Sequence, residues 1–512
     1  MNIATWIDRN ARFSPEKTAV YFENQQITYA DLAAQVDRAA RMLSGTLGVQ
    51  HGDRVSLLAF NIPEYLIALF ACARIGAILN PLNWRLAIPE LAYIVQNAES
   101  SVLLLEQAFA DFAAHVAAKM PAAEMPTVQR VGFDFEPEGG HTWASLMASA
   151  PEKAPSSMGE LHDTMLLVYT SGTTGHPKGA MLSQNSLLWN AVQSQHMHDM
   201  TSNDVILTCL PLFHVGGLNN QTTPALHLGA SIVLQRRFVP DEALTAVSAR
   251  DGSHPAPTIG CFVPATQQAC IASPLWQETD FSNLRIICTG SMLVPRHLSD
   301  EYRAVGVTVV EMYGCTETGP ISVYHRSDSD FGRIGSTGLP GLHCDIMIID
   351  KDGYPLPSNK EGEICLRGPH IMQGYWRNHK ATEAALTKSW FHTGDIGHQD
   401  EDGYVYIKDR KKNMIISGGE NIYAAEVERV LNQHPAIVEC ALIGLADEKW
   451  GERPEMVVVC HEADEADLRA FMDGKLARFK LPRAYHFVND LPKNALGKVQ
   501  HFKLKQRFTG YE

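Results

Sequence analysis

From Tyr169 to Leu182 the chain reads YTSGTTGHPKGAML: three glycines, four Ser/Thr hydroxyls and one lysine between apolar flanks. Backbone N–H groups exposed by a glycine-rich turn, together with a lysine charge, suit a ligand dense in oxygens, above all phosphate. A nucleotide-hydrolysing P-loop needs Gly, four residues, then Gly-Lys-Ser/Thr. Here Pro177 is the fifth residue after Gly172, and Gly179 follows Lys178. The P-loop is excluded. An apolar strand (TMLLVYTS, 164–171), the Gly/Ser/Thr turn and then a helix over SLLWNAVQSQHM still predict a phosphate-holding loop.

Six further segments follow in order: PLFHVGG (211–217), TGSMLVP (289–295), YGCTETG (313–319), WFHTGD (390–395), DRKKNMIISGGENIYAAEVE (409–428) and PKNALGKV (492–499). With the glycine loop they make seven motifs in register, and on them the chain resembles the adenylate-forming superfamily, in its acyl-CoA synthetase branch. The resemblance covers essentially the whole chain. It implies a carboxylate attacking the α-phosphorus of ATP to give acyl-AMP and pyrophosphate, then a thiol displacing AMP. Such chemistry rests on positioning and charge neutralisation rather than on a protein nucleophile.

The resemblance also implies roles. Thr170, Ser171, Gly172, Thr173, Thr174, Gly175 and Lys178 hold the β- and γ-phosphates. Glu317 is the magnesium ligand, and Thr316 beside it binds the α-phosphate. Tyr313 stacks on adenine, with Gly290, Ser291 and Met292 on the other side and Glu311, Met312 and Gly314 in the same nucleotide site. Asp395 accepts from the ribose hydroxyls, and Arg410 adds a second ribose contact. Lys498 is the catalytic lysine bridging the acyl carboxylate and the α-phosphate, working with Thr170, His214 and Glu317. Lys412 is the hinge, and Ser417, Gly418, Gly419 and Glu420 approach the pantetheine arm of coenzyme A. The expected substrates and cofactors are therefore ATP, Mg²⁺, coenzyme A and a small carboxylic acid.

The acid is constrained by what is absent. Amino-acid-activating relatives carry an Asp directly after the His214 position to pair the substrate ammonium; Val215 stands here. An ammonium against valine would lose its solvation without return, so amino acids are disfavoured. His214, Val215, Gly216, Gly217, Asn220, Val263 within CFVPAT, Gly314 and Pro320 are the expected acyl pocket, and none is Arg or Lys. A hydrophobic monocarboxylic acid fits, with the glycines leaving depth. A medium- or long-chain fatty acid is the first expectation. An aryl or cinnamic acid is the alternative, as is loading of a carrier protein in place of coenzyme A.

These residues need elements to hold them. From about residue 50 to 315, short β-rich runs alternate with helical patterns (VSLLAF, SVLLLE, SIVLQ and LRIICTG open units, and VTVVEMYG ends the series), which predicts α/β layers on largely parallel sheets. After about 335, CDIMIID, EGEICLRG and DGYVYIKDR read as a β-rich subdomain, and the last hundred residues as mixed α+β. The expected organisation is an adenylation domain over 1–409 and a small, mobile lid domain over 410–512 that carries Lys498.

At 512 residues the chain exceeds one core. Its net charge of -14 argues against nucleic acid as a partner. Ten scattered cysteines without a CxxC pair read as free thiols in a reducing cytoplasm. His196 and His198 read as exposed helix residues rather than a metal site. The opening MNIATWIDRNARFSPEK carries charges where a secretory signal needs an apolar core, and VSLLAFNIPEYLIALFACARIGA is interrupted by Asn61, Pro63 and Glu64, so no membrane span is expected. A homodimer is one expected assembly.

Overall fold

The computed structural model describes all residues except 120–127, 154, 156–157, 171–176, 251, 292–293, 330–331, 334, 418–419, 448, 494–496 and 510–512. The described chain forms two compact units that interleave in sequence. The first takes in Met1–Gly172, His176–Asp345 and Leu366–Phe391, and the second Ile346–Cys365 and His392–Glu512.

In the first unit, apolar runs too short for helices pair into two sheets. The larger has nine strands in the order Leu339–Pro340, Val323–Tyr324, Thr308–Tyr313, Ile286–Thr289, Ile259–Cys261, Val205–Thr208, Ser231–Leu234, Thr18–Phe22 and Gln25–Thr28. From Thr308–Tyr313 to Thr18–Phe22 every pairing is parallel. All those strands therefore end on one edge, where ligands of open α/β sheets bind. The expected parallel α/β architecture is present.

The second sheet of that unit has eight strands, with Arg54–Leu58 near its centre flanked by Ile78–Pro81 and Ser100–Leu105 in parallel. The helix Pro63–Ile75 begins on a proline, whose fixed φ suits the first helical turn, and ends at Gly76 with φ +74°. It is apolar on nearly every face and buried on nearly every face, as an all-apolar helix must be. Among the described residues no helix is long and apolar enough to cross a membrane.

Two expectations are corrected here. The glycine loop is not followed directly by a helix: Lys178–Ser183 is a strand, antiparallel to Thr164–Thr170, with Thr170 opposite Lys178. The helix starts only at Gln184, capped by the Ser183 hydroxyl. The two strands that flank the loop thus form a β-hairpin, and the chain enters the helix only after the second of them. His198 is on the expected helix but fully buried. The turn Leu218–Thr222 lies over it, with Gln221 Nε2 3.0 Å from His198 Nε2. His196 is half-buried and its Nδ1 lies 2.9 Å from the Tyr324 hydroxyl.

The second unit contains most of a sheet built from Asp345–Ile349, Gly362–Arg367, Trp390–Gln399 and Val405–Arg410. Its other sheet pairs Glu420–Ile422, Ile415–Ser417, Gly451–Cys460 and Ile437–Asp447 in order, with Ala484–Phe487 on Gly451–Cys460. The helices Ala424–Leu431 and Glu465–Met472 cover that sheet through Val427, Leu431, Leu468 and Met472, packed with Leu442, Met456 and Val458. All ten cysteines are free thiols, and seven of them are buried.

Candidate active site

The strand ends of the parallel sheet assemble most of the residues singled out in the first unit. After Ile286–Thr289 come Gly290 and Ser291, and Thr308–Tyr313 beside it ends in Glu311, Met312 and Tyr313. The strands are in register at Thr289 and Glu311. A Cβ on Gly290 would stand 2.6 Å from the Met312 carbonyl oxygen, so glycine is required for these two segments to meet. Ser291 sits at φ +74°, in the left-handed region that costs a non-glycine residue about 1 kcal/mol or more. Such strain at a strand end marks a conformation enforced by its surroundings.

Glu317 lies in the turn Thr316–Thr318 just beyond that strand, and its backbone oxygen accepts from the Met372 N–H at 2.8 Å. Its carboxylate Oε1 accepts from the Tyr375 hydroxyl at 2.8 Å. Tyr375 also offers its ring to Lys178, whose Nζ stands 5.5 Å from the ring centroid. It reaches this place because Gly374–Tyr375 pairs with Lys178–Ser183, setting Tyr375 opposite Ala180. One tyrosine thereby links the loop lysine with the acidic residue. Sequence reasoning missed it, because its role arises from strand pairing across roughly two hundred residues and has no local signature.

One carboxylate suits a magnesium ion that arrives with nucleotide, since Mg²⁺ is commonly held by one or two carboxylates plus substrate phosphates. Glu317 fits that donor set. Tyr375→Phe should raise the Mg²⁺ concentration for half-maximal activity by about tenfold or more, since a hydrogen bond to a charged group is worth roughly 1.5–3 kcal/mol. Magnesium titration of pyrophosphate release reads this directly; an unchanged midpoint would show that the tyrosine does not position Glu317.

Thr170 ends its strand with Oγ1 3.4 Å from the Lys178 carbonyl oxygen. Ser171, Gly172, Thr173, Thr174 and Gly175 of the loop, and Met292, Gly418 and Gly419, lie outside the described residues.

The proposed acyl wall follows Val205–Thr208 and Ile259–Cys261. His214 precedes a helical turn, Val215–Gly217, and its Nδ1 accepts from the Gly216 N–H at 3.0 Å. In the neutral ring the proton then resides on Nε2. Val215 and Asn220 are buried, while Val263 precedes the helix Pro264–Ile271. The reason for two glycines differs from the expected one. A Cβ on Gly217 would meet the Pro211 carbonyl oxygen at 2.2 Å, and one on Gly314 the Pro320 carbonyl oxygen at 1.7 Å. Close backbone approach, rather than pocket depth, excludes side chains there.

Burial pushes the Glu311 carboxyl up to about 7, against the opposing charge of Arg303. Burial also lowers His198 and His370, each to about 4. Each histidine stabilises the fold fully above its unfolded pKa of 6.5, and that contribution is lost as pH falls towards 4. Glu311 acts oppositely: its contribution is full below 4.5 and lost as pH rises through about 7. Between pH 5 and 6.5, Glu311→Gln should therefore steepen the rise of stability with pH by up to about 1.4 kcal/mol per pH unit. Urea midpoints of variant and parent across that range test it; parallel curves would refute it.

The remaining candidates belong to the second unit. Asp395 and Arg410 are opposite each other on paired strands, with Arg410 Nε 2.8 Å from Asp395 Oδ1. Asp395 is 4% exposed, and its N–H donates to Thr393 Oγ1 at 3.0 Å, whose hydroxyl donates to the Ile364 carbonyl at 2.8 Å. Charge and hydrogen bonds so preassemble a carboxylate–guanidinium pair. Lys412, just beyond, has its ammonium pKa lowered by burial and by the Arg410 charge, with Asp395 opposing. Asp409 ties this segment to the helix Ala424–Leu431, accepting from the Ala425 N–H at 2.8 Å.

Ser417 and Glu420 face each other as the ends of a hairpin, Ile415–Ser417 and Glu420–Ile422. Lys498 is exposed, next to Gly497 at φ +80°, in a segment closed by the Lys493–Val499 bridge. Lys493 pairs with Glu439.

Comparison with known proteins defines the class. The chain matches the AMP-binding enzyme family over residues 7–376 and the AMP-binding enzyme C-terminal domain over residues 426–498. It belongs to that family, and it is an enzyme of the acid–thiol ligase class. It is similar to an indoleacetate–CoA ligase of Aromatoleum aromaticum, with 44% identity over 99% of this chain and 98% of the relative. A feruloyl-CoA synthase of an Amycolatopsis species is 37% identical over 99% of both chains. Among solved structures, the o-succinylbenzoate CoA synthetase of Bacillus subtilis, in complex with an acyl-adenylate intermediate, superposes with a TM-score of 0.86 at 31% identity, covering 98% of this chain and 97% of that one.

Proposed function

We propose that the enzyme is an ATP-dependent acid–CoA ligase that activates an aromatic monocarboxylic acid of arylacetic or cinnamic type. The end-to-end 44% identity with an indoleacetate–CoA ligase carries this reading. The proposed acyl wall supports it: His214, Val215, Gly216, Gly217, Asn220, Val263, Gly314 and Pro320 offer no cation for a second carboxylate.

In the first half-reaction the acid's carboxylate oxygen forms a bond to the α-phosphorus while the bond to the pyrophosphate oxygen breaks. Lys178 and the glycine loop hold the departing phosphates, and Thr316 and Lys498 meet charge at the α-phosphate. Glu317 would hold a Mg²⁺ ion, which would supply charge neutralisation for the phosphates. Tyr313 and Gly290–Ser291 seat the adenine, and Asp395 with Arg410 holds the ribose. In the second half-reaction the thiol of coenzyme A attacks the acyl-AMP carbonyl and AMP leaves, with Ser417 and Glu420 beside the pantetheine arm. We assign the swing between the half-reactions to Lys412, two residues after the strand Val405–Arg410.

AMP and thioester formation, read by mass spectrometry with ATP, Mg²⁺ and coenzyme A, tests the reading. The acids run from acetate to C18 and include indoleacetate, phenylacetate, benzoate, coumarate and ferulate. A maximum among ring acids is expected. A maximum among alkyl acids would replace this reading with the fatty acyl one. Acyl-AMP accumulating without thioester would move the acceptor to a carrier protein.

A further inference from the structure

Beneath the turn that carries Gly216 and Gly217 lies a small cavity, also lined by Thr208, Thr222, Cys261 and Gln221. Gln221 is 3% exposed. Its Nε2 lies 2.9 Å from the Gly260 carbonyl oxygen and 3.0 Å from His198 Nε2. The His198 Nδ1 stands 2.8 Å from the Ser194 carbonyl oxygen, which only an N–H can satisfy. The ring proton is therefore on Nδ1, and Nε2 is an acceptor. Two acceptors facing one end of the amide fix which end is nitrogen. Gln221 cannot flip without setting its oxygen against the Gly260 carbonyl.

The other end, Oε1, is buried without a protein hydrogen-bond partner. The hydroxyls that line the cavity and the Asn220 amide nitrogen are already committed. Thr222 donates to the Gly217 carbonyl at 2.7 Å, so Thr208, 2.8 Å away, donates to the Thr222 oxygen. Asn220 Nδ2 points at the sulfurs of Cys261 and Cys288, at 3.1 and 2.9 Å. The Thr208 and Thr222 hydroxyls and the Asn220 and Gln221 amide nitrogens are spent internally, while the Gln221 oxygen, held in one orientation, is left over. Such a wall is complementary to a ligand group that donates.

We infer that Gln221 is a specificity-determining residue whose Oε1 accepts a hydrogen bond from a ring N–H or O–H of the acid, so that the preferred substrates are aromatic acids carrying such a donor. The inference rests on the aromatic reading above and on Gly216 and Gly217 belonging to the acyl wall. A site built to pair a substrate donor rejects the analogue lacking it far more strongly than a hydrophobic pocket rejects a missing methylene.

The test compares substrates that differ only in the donor, by kcat/KM in ATP–pyrophosphate exchange with the full-length enzyme. Indole-3-acetate is set against benzofuran-3-acetate, and 4-hydroxyphenylacetate against 4-fluorophenylacetate. The donor-bearing member of at least one pair should be favoured about tenfold or more. Gln221→Leu should bring that ratio close to one, with acetate-independent ATP binding retained. Equal kcat/KM within both pairs overturns the inference alone. So does a ratio that survives in folded Gln221→Leu. Should that variant not fold, Gln221→Met supplies the same reading, and the comparison on the parent enzyme still stands. Turnover of alkyl acids with neither pair accepted overturns the aromatic reading, and this inference with it.

Discussion

Replacing Lys498 by alanine should lower the rate of acyl-AMP formation by on the order of 10²–10³-fold, while coenzyme A still consumes preformed acyl-AMP at close to the parent rate. Lys498 is an exposed cation on a segment closed by the Lys493–Val499 bridge, with Gly497 beside it in a left-handed conformation. A compact ammonium carried on an exposed segment can meet the oxygens on which negative charge develops. Loss of one such preorganised group costs about 2.7–4 kcal/mol of transition-state stabilisation. Lys498→Arg keeps the charge but not the compact ammonium, so partial activity is expected. Lys493→Ala is the control: that lysine is five residues earlier and paired with Glu439, and its loss should leave both half-reactions nearly unchanged. Quenched-flow measurement of acyl-AMP, with synthetic acyl-AMP supplied separately, resolves the two steps. Equal loss in both half-reactions, or in both lysine variants, would refute a role specific to adenylation.

The second large effect is expected at Glu317. Glu317→Gln should reduce kcat by about 100-fold or more and raise the Mg²⁺ requirement, since even groups that only support a metal ligand are worth about 10–100-fold. The substitution preserves volume, and the backbone bond from Met372 to residue 317 does not involve the side chain. An unchanged urea midpoint should therefore accompany the loss of activity. The Tyr375 hydroxyl can still donate to the amide oxygen at this position, so what is removed is the anionic charge rather than the local geometry. Magnesium titrations at saturating ATP provide the check. A variant with the parent's Mg²⁺ midpoint would place the metal elsewhere.

Much of the fold was legible along the chain because each strand of the parallel sheet is a short apolar run bounded by turn residues. VTVVEMYG and LRIICTG announced Thr308–Tyr313 and Ile286–Thr289, and the candidate residues follow directly at their ends. The hairpin was not legible. Lys178–Ser183 is six residues with no strict alternation, and only pairing on both sides, with Thr164–Thr170 and Gly374–Tyr375, makes it a strand. Short apolar runs are ambiguous between helix and strand until neighbours decide. His198 likewise looked exposed because helical periodicity around it is weak, and burial came from the Leu218–Thr222 turn.

By itself, then, the sequence determined the order of the elements, the placing of glycine loop, acidic turn, Thr-Gly-Asp and terminal lysine, and through them the family and its two-step chemistry. These are properties of contiguous residues, whose types and spacing carry the information. Only the tertiary structure decided that Tyr375 joins Lys178 to Glu317, that Asp395 and Arg410 form a pair, that Gly217 and Gly314 answer to carbonyls rather than to substrate, and that Gln221 keeps one buried acceptor in a fixed orientation. Each of these depends on atoms brought together by sheet pairing or packing between residues not adjacent in the chain, and burial, which sets the cost of an unpaired polar group, exists only once the chain has folded.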